Sequence, residues 1–310
     1  MKNMYKTITG WLVMVAALTM GMTACTQDDS LTNDDNITTE PQPTKPETYT
    51  LSFEATMDDG GADTRALSLN GSTLDAMWEL NQPVYVFSTS FFGSILAFNG
   101  TLHVTQVSAD GRSATISGTL TTPPQKASSS WDNTILVNLY AAPINTAHYT
   151  TSSFGFSMNY SGQKGTLADI AAGYDYACAE NKVVTNNSTT AFTIQDTPVT
   201  FQSKPTIAHF RLRDKDNGSD IYASQLTVAY PTMNFSITVN PDVAASDLYV
   251  ALPAAYDYDV TLTATVGTNT YMYYKPAITL ASGHYYDIAV KMQNMTAEPV
   301  YDTFFDEENW

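Results

Sequence analysis

An alternation of apolar and polar residues runs through this 310-residue chain from Tyr49 onward. In the first run, residues 49–57, the side chains of Leu51, Phe53, Ala55 and Met57 share one face, and polar side chains occupy the other. This period of two is typical of a β-strand with one buried face. Similar short runs follow, separated by turns rich in Asp, Asn and Gly, and the 44 threonines and 19 tyrosines suit pleated sheets. The pattern predicts an all-β fold built from β-sandwiches.

The N-terminus has the order of a secretory signal. Basic residues (Lys2, Lys6) come first, an apolar stretch over 11–22 follows, and the tetrapeptide MTAC ends at Cys25. The apolar stretch is shorter than the roughly 20 residues of a membrane-spanning helix. MTAC resembles a bacterial lipobox, so we expect a signal peptide over 1–24 and a lipidated Cys25 with outer-membrane lipid as its partner. The alternative is an ordinary signal peptide with an incidental cysteine.

A polar tether and two ordered parts are expected after the signal. Residues 25–48 are acidic, contain several prolines and lack an apolar period, which predicts a disordered linker. A boundary near 196, in a stretch punctuated by Pro198 and Pro205, divides the rest into N-terminal (49–196) and C-terminal (197–310) sandwich domains. The acidic pair at 28–29 resembles signals that send lipoproteins to the cell surface, although a solvated linker explains it equally.

Charge and cysteine content exclude several classes of function. The net charge of −17 opposes binding to nucleic acid. Once the signal is removed, Cys178 is the single thiol of the folded part, so no internal disulfide can form and we expect a buried core residue. The chain carries no GxSxG, HExxH, CxxC or P-loop motif, so we predict no enzymatic activity, no cofactor and no metal site.

Three sets of polar or aromatic residues are candidates for binding. Residues 214–220, DKDNGSD, resemble a calcium loop but lack its glycine and glutamate spacing, which favours a polar turn. His209 lies in a strand-like run, where a structural role is expected. Tryptophans and tyrosines could stack on sugars or pack in the core; among them, Tyr271 and Tyr273 of the YMYY cluster are the candidate ligand contacts. They support an alternative function, a surface glycan-binding lipoprotein of a polysaccharide-capture system.

Several segments, read in order, resemble the fimbrillin family of lipoprotein pilins and fimbria-like adhesins. They are the lipobox, YTLSFEAT followed by DDGGADTRA, MWELNQPVYVF, FNGTLHVTQVSADGRSATISGTL, VTFQSKPTIAHFRLRD and ITLASGHYYDIAVKM. The second and third segments are similar to a first strand ending in a Thr-Arg pair and to a Trp-x-x-Gly-Asp pattern, with Asn81-Gln82 replacing Gly-Asp. The resemblance implies two transthyretin-like β-sandwich domains and a cell-surface fimbrial subunit or adhesin. Its expected partners are other fimbrial subunits and a host or bacterial surface receptor or glycan.

The resemblance also implies an assembly mechanism. In the family an arginine-specific protease removes the first strand, and a strand from a neighbouring subunit fills the groove, which is β-augmentation. Here the removable strand would carry Leu51 to Met57, with cleavage between Arg65 and Ala66. Only four arginines occur in the chain, and Arg65 alone follows a Gly-rich segment. The last 18 residues alternate poorly for a donor strand, which favours a tip or accessory role over a shaft role.

Overall fold

Strands dominate the computed structural model, which describes residues 48–58, 68–70, 73–75, 77–88, 100–121, 134–152, 155–186 and 191–295. The all-β prediction is confirmed, because a short α-helix and two 3₁₀ turns are the other regular elements of these ranges. No helix in the described ranges has the length and apolar character needed to cross a membrane. The predictions for Cys25, Arg65, Ala66 and the C-terminal tail fall outside the described residues.

The elements of the first part of the chain are β1 (Thr48–Met57), β2 (Ser68–Asn70), β3 (Thr73–Asp75), β4 (Pro83–Ser88), β5 (Thr101–Val107), β6 (Ser113–Thr121), β7 (Thr134–Ala141), β8 (Tyr149–Ser152), β9 (Gly155–Met158), α1 (Leu167–Gly173), β10 (Ala177–Asn186), β11 (Ala191–Ile194) and β12 (Val199–Ser203). Those of the second part are β13 (Thr206–Asp214), β14 (Gln225–Tyr230), β15 (Phe235–Val239), β16 (Asp247–Leu252), β17 (Ala255–Val266), β18 (Asn269–Leu280) and β19 (Tyr285–Asn294).

The first sheet closes on itself. Its order is β11-β1-β12-β10-β7-β4-β5-β6, and β6 pairs in turn with β1. β11 and β12 share the place between β1 and β10, since each pairs with both of those strands. The inward side chains form one apolar core, which includes Leu51, Val104, Ile116 and Phe201. Closure means that the described strands of this ring have neighbours on both sides, so few unpaired backbone groups remain exposed.

The second sheet is open, with the order β15-β14-β17-β18-β19-β13-β16. β19 joins two groups of strands: residues 285–292 run parallel to β13, and its last two residues pair with β18. Inward side chains from both groups, among them Leu226, Phe210 and Leu262, form a second core. The ends of the order, β15 and β16, are the edge strands.

A segment of the first part of the chain completes this second core. Tyr160, Ile170 and Tyr174 are buried among residues of the second sheet, although they precede β10 of the first sheet. The backbone nitrogen of Tyr249 in β16 donates to the carbonyl of Gly165 (3.0 Å), so the segment runs along the β16 edge. Residues 158–174 therefore belong by packing to the second sheet.

The change from one sheet to the other lies later than the predicted boundary at 196. β12, at Val199–Ser203, pairs with β1 and β10 of the first sheet, and β13 begins the second sheet at Thr206. The sequence signals at Pro198 and Pro205 therefore flank the last strand of the first sheet. The division into two domains stays a prediction, because residues 158–174 pack with the second sheet.

Candidate functional site: the first strand and its groove

β1 lies between partners along both of its edges. On one side residues 48–56 pair antiparallel with residues 121–113 of β6. On the other side β1 runs parallel to β11 at residues 50–51 and to β12 at residues 55–57. The amide of Asp58 donates to the carbonyl of Phe201 (2.9 Å), which extends the second pairing past the end of the strand. Removal of β1 would leave unpaired backbone groups on two facing ladders.

One face of β1 is buried over its full length. Tyr49, Leu51, Phe53, Ala55 and Met57 are each at most 9% exposed, and the residues between them face solvent. The predicted alternation of this strand is confirmed. Full burial of a large apolar side chain contributes about 1.5–3 kcal/mol, so β1 is a major part of the first core. A groove left by β1 would consist of apolar pockets spaced two residues apart.

The ring of Tyr49 shows how the start of β1 is held. Its centroid lies 4.3 Å from that of Phe192 in β11. At the other end, the amide of Met57 donates to the carbonyl of Arg112 in the turn between β5 and β6 (3.2 Å). Both ends of β1 therefore contact residues of other elements, and those elements remain if the strand is removed.

The arginines outside the predicted cleavage segment lie within hydrogen-bonded structure. Arg112 follows Gly111, whose φ of +73° is in the left-handed region that favours glycine, in a tight turn. Arg211 and Arg213 lie in β13, where they form ion pairs with Asp287 (2.9 Å) and Asp220 respectively. A protease cleft needs an extended, accessible segment, so none of these three positions is a favourable substrate. Arg65 and Ala66 lie outside the described residues, and their cleavage stays a prediction.

The candidate sugar contacts Tyr271 and Tyr273 are on the core side of β18. Both are half-buried and pack against the second core. Tyr274 is on the opposite side, where its hydroxyl donates to Oδ2 of Asp259 (2.9 Å), and this hydrogen bond raises the pKa of Tyr274. The packing of Tyr271 and Tyr273 favours a structural part, and their contact with a ligand stays a prediction.

Cys178 is buried in β10, as predicted for a core residue. Its Sγ donates to Oε1 of Glu180 (3.3 Å), which also accepts from Nζ of Lys204 (2.9 Å). Burial raises the pKa of the Cys178 thiol to about 12. A thiol with so high a pKa is protonated near neutral pH and is a poor nucleophile.

The segment 214–220 is a polar turn, as the sequence favoured. Oδ1 of Asp214 accepts from the amides of Asp216 (2.8 Å) and Asn217 (3.2 Å), which is an Asx turn. The amide of Gly218 donates to the carbonyl of Asp214 (2.8 Å) and closes the loop. No group of His, Cys, Asp and Glu in the described part of the chain could hold a metal ion.

Two aspartates and a tyrosine surround His209 in the structure. The sequence predicted a structural role for this histidine but did not predict these neighbours. The Nδ1 atom of His209 lies 3.2 Å from Asp287, its Nε2 atom lies 3.4 Å from Asp247, and its ring stacks on Tyr249 with centroids 4.2 Å apart. These residues come from β13, β16 and β19, which are neighbours in the sheet. These residues become neighbours through the register of the three strands, so the sequence pattern could not reveal their contact. The network ties the strands together and fits the predicted structural role.

Comparisons with known proteins give structural similarity without a sequence match. No protein-family model matches the chain, and no curated protein sequence matches it. A fimbrial assembly protein from Parabacteroides distasonis is 14% identical with a TM-score of 0.39, over 79% of this chain and 91% of its own. A protein of Bacteroides ovatus with a suggested role in cell adhesion is 14% identical with a TM-score of 0.38, over 82% and 96%. A fimbrial protein from Bacteroides ovatus is 8% identical with a TM-score of 0.35, over 80% and 49%.

At 14% identity or less and TM-scores of 0.39 or less, the similarity establishes neither the family nor the function of this chain. The function proposed below therefore rests on the residues and contacts of the chain itself.

Proposed function

We propose that the protein is a non-enzymatic fimbrial subunit or adhesin of the cell surface that assembles by exchange of its first strand. The observation that carries this proposal is the position of β1, which is paired along both edges and buries five side chains of one face. Loss of such a strand opens a groove with unpaired backbone groups and regularly spaced apolar pockets. Those two features are what a donor strand from another subunit satisfies.

The finer parts of the proposal come from the sequence. Lipid on Cys25 and the acidic tether would hold the protein on the outer membrane at the cell surface, and cleavage between Arg65 and Ala66 would release β1. The end of β1 supports this cleavage step: the chain leaves the strand at Asp58, so a cut after Arg65 would separate the whole strand from the rest of the chain. The poor alternation of the tail favours a tip or accessory subunit over a shaft subunit.

Limited digestion with an arginine-specific protease tests the cleavage step. We expect a single early cut after Arg65 in the purified precursor, because the other three arginines lie in a tight turn or in β13. An Arg65→Ala chain should resist the protease under the same conditions, and Arg112→Ala serves as the matched control that is still cut. Early cuts at Arg112, Arg211 or Arg213 with Arg65 intact would contradict the proposed site.

Binding of a returned strand tests the groove. After cleavage and removal of the N-terminal piece, a synthetic peptide of residues 48–58 should bind the remaining chain and restore its thermal stability. A control peptide with Leu51 and Phe53 both replaced by Ser should bind at least tenfold more weakly, because it leaves two pockets empty. If the cut chain gains no stability from the peptide and forms no oligomers with uncut chains, strand exchange is wrong.

A second candidate function, glycan binding at the cell surface, would use Tyr271 and Tyr273 of β18. Both side chains belong to residues that are half-buried rather than fully buried. If they contact a sugar, Tyr271→Ala and Tyr273→Ala should each abolish retention in a polysaccharide affinity gel. Unchanged retention in both variants would remove these two residues from the proposal.

A further inference from the structure

The two walls of the groove that β1 would leave are supported unequally. The first wall, β6, also pairs with β5 over residues 114–118, so its middle keeps a neighbour when β1 is absent. In the second wall, Val199, Thr200 and Phe201 of β12 pair with β1, and the last two residues of that strand pair with β10. Loss of β1 therefore removes the paired strand from most of β12, and the position of this wall depends on what holds its end.

A turn of the second sheet contacts the chain directly after β12. We call residues 281–284, which connect β18 to β19, the junction turn. The Oγ atom of Ser282 donates to the carbonyl of Lys204 (2.9 Å), and the amide of Gly283 donates to the carbonyl of Pro205 (3.2 Å). Lys204 and Pro205 form the whole connection between β12 and β13, so the junction turn binds both of its residues.

The same connection is bound to the first sheet. The amide of Lys204 donates to the carbonyl of Tyr176 (3.0 Å), just before β10, and its Nζ atom donates to Oε1 of Glu180 in β10 (2.9 Å). The second of these hydrogen bonds lowers the pKa of Glu180. Because proline has no N–H group, the backbone donors and acceptors of Lys204 and Pro205 are all satisfied, as expected for a fixed connection rather than a hinge.

Gly283 approaches the last residue of β12 closely. Its φ of +72° lies in the left-handed region, and a methyl group on its Cα atom would lie 2.8 Å from the carbonyl oxygen of Ser203. Glycine permits this approach, because a side chain would collide with the backbone of β12. On the other side of the turn, Oγ1 of the buried Thr206 donates to the carbonyl of Ala281 (2.8 Å). The junction turn therefore packs against both the end of β12 and the start of β13.

We propose that the junction turn keeps the β12 wall of the groove in position when β1 is absent. This inference rests on the proposed strand exchange and concerns the preparation of the groove for a donor strand. A donor then meets a wall that is already ordered, so its binding does not carry the conformational-entropy cost of ordering β12. The second sheet thereby contributes to assembly, although the groove lies in the first sheet.

Gly283→Ala tests the proposal, and Gly218→Ala is its matched control. Gly218, in the polar turn at 214–220, has a φ of +73°, and a methyl group added there would have open space around it. The two substitutions therefore introduce similar backbone strain. Only Gly283→Ala also pushes the junction turn away from Ser203.

The test uses a full chain that can be cut independently of Arg65. The recognition site of a specific protease replaces residues 60–66 in the parent and in each variant. Cleavage and removal of the N-terminal piece give the stripped chain. Hydrogen–deuterium exchange of the stripped chain measures the order of β12, and fluorescence anisotropy measures its binding of a labelled peptide of residues 48–58.

The expected effect is local to one wall. Gly283→Ala should speed exchange of the amides at 199–203 and weaken binding of the peptide about tenfold. Gly218→Ala should change neither quantity. Exchange over 113–121, in β6, should be the same in both variants, because a loss confined to the β12 wall separates positioning from general destabilisation.

A second variant keeps the test independent of the strain at Gly283. Ser282→Ala removes the hydroxyl that bonds to Lys204 and should weaken binding of the peptide about threefold. Ser224→Ala is the matched control, because it removes a serine hydroxyl that donates to the carbonyl of Thr265 elsewhere in the second sheet (3.1 Å). Both uncut variants should keep a cooperative thermal transition.

The outcomes separate this proposal from strand exchange. If the stripped parent binds the peptide, and Gly283→Ala and Ser282→Ala change neither binding nor exchange of β12, the role of the junction turn is wrong and strand exchange stands. Equal acceleration of exchange in β6, or a stripped parent whose β12 is unprotected, would also overturn that role. A stripped parent that binds no peptide but loses protection of β12 in Gly283→Ala would reject strand exchange and support the junction turn.

Discussion

Gln163 shows how one side chain closes an open sheet edge. It is fully buried, and its Nε2 atom donates to the carbonyls of Tyr160 (2.9 Å) and Ala251 (2.8 Å). The amide of Ala251 donates to its Oε1 atom (2.7 Å), so the side chain acts as a strand neighbour for β16. An edge strand whose polar groups are satisfied in this way is protected from pairing with other chains.

Replacement of Gln163 by Ala should lower the free energy of unfolding by about 2–4 kcal/mol, because it leaves the buried amide and carbonyl of Ala251 without partners. Urea unfolding followed by tryptophan fluorescence measures the change. Gln106→Ala on the exposed side of β5 is the matched control and should change the free energy by less than about 0.5 kcal/mol. Equal effects of the two substitutions would contradict this role for Gln163.

Cys178 should be unreactive in the folded protein. Its pKa of about 12, raised by burial, leaves almost no thiolate at pH 8. In a chain that begins at residue 26, Cys178 is the single cysteine, and we expect no labelling by a maleimide over an hour at pH 8 and complete labelling in 6 M guanidinium. Rapid labelling of the folded chain would show that β10 opens readily or that the thiol is accessible.

β1 combines the sequence pattern of a strand with one buried face and an environment that matches it. Its alternation predicted a buried face, and the structure adds partners on both edges that lie far along the chain, β6 on one side and β11 and β12 on the other. The strand therefore combines local preference with long-range pairing. Its contribution to stability can be measured one side chain at a time.

Phe53→Ala should lower the free energy of unfolding by about 3–5 kcal/mol, because it leaves a cavity in the first core. Ser52→Ala, next to it on the exposed face, should change it by less than about 0.5 kcal/mol. Thermal and urea unfolding of both variants against the parent protein checks the difference. A small effect of Phe53→Ala would mean that β1 is loosely held before cleavage.

Buried tyrosines of the second core should make the protein sensitive to alkali. Burial raises the pKa of Tyr160, Tyr174 and Tyr230, so the folded state holds their protons where the unfolded state has lost them. Their stabilising contribution is complete below pH 10, the ordinary pKa of tyrosine, and is lost as the pH rises further. For Tyr230 the slope approaches about 1.4 kcal/mol per pH unit.

Melting temperatures between pH 8 and 11.5 measure this loss. Tyr230→Phe removes a titrating hydroxyl that has no hydrogen-bond partner among the described residues, so the decline above pH 10 should be shallower. Tyr222→Phe, at an exposed position, should leave the decline unchanged. A parallel decline in Tyr230→Phe and the parent would contradict the assignment.

The second sheet depends on residues 158–174, which precede β10 to β12 of the first sheet in the sequence. A fragment of residues 204–295 contains all of β13 to β19 but lacks Tyr160, Gln163 and Ile170. We expect this fragment to unfold without cooperativity, because part of its core and one sheet edge are exposed.

A chimera tests that dependence. Residues 158–174 joined to the fragment through a Gly/Ser linker should restore a cooperative thermal transition and dispersed amide signals in the NMR spectrum. The same chimera with Tyr160→Ala and Gln163→Ala is the control and should not. A cooperative transition in the fragment alone would show that the second sheet folds without residues 158–174.

Local sequence patterns were sufficient to predict the all-β class, the buried face of β1, the burial of Cys178 and the polar turn at 214–220. Each of these depends on neighbours within a few residues, and alternation or turn chemistry reports such local preferences directly. Local patterns do not reveal the closure of the first sheet, the place of residues 158–174 or the contacts around His209. These depend on which strands become neighbours and in what register, and alternation specifies the two faces of a strand without specifying its partners.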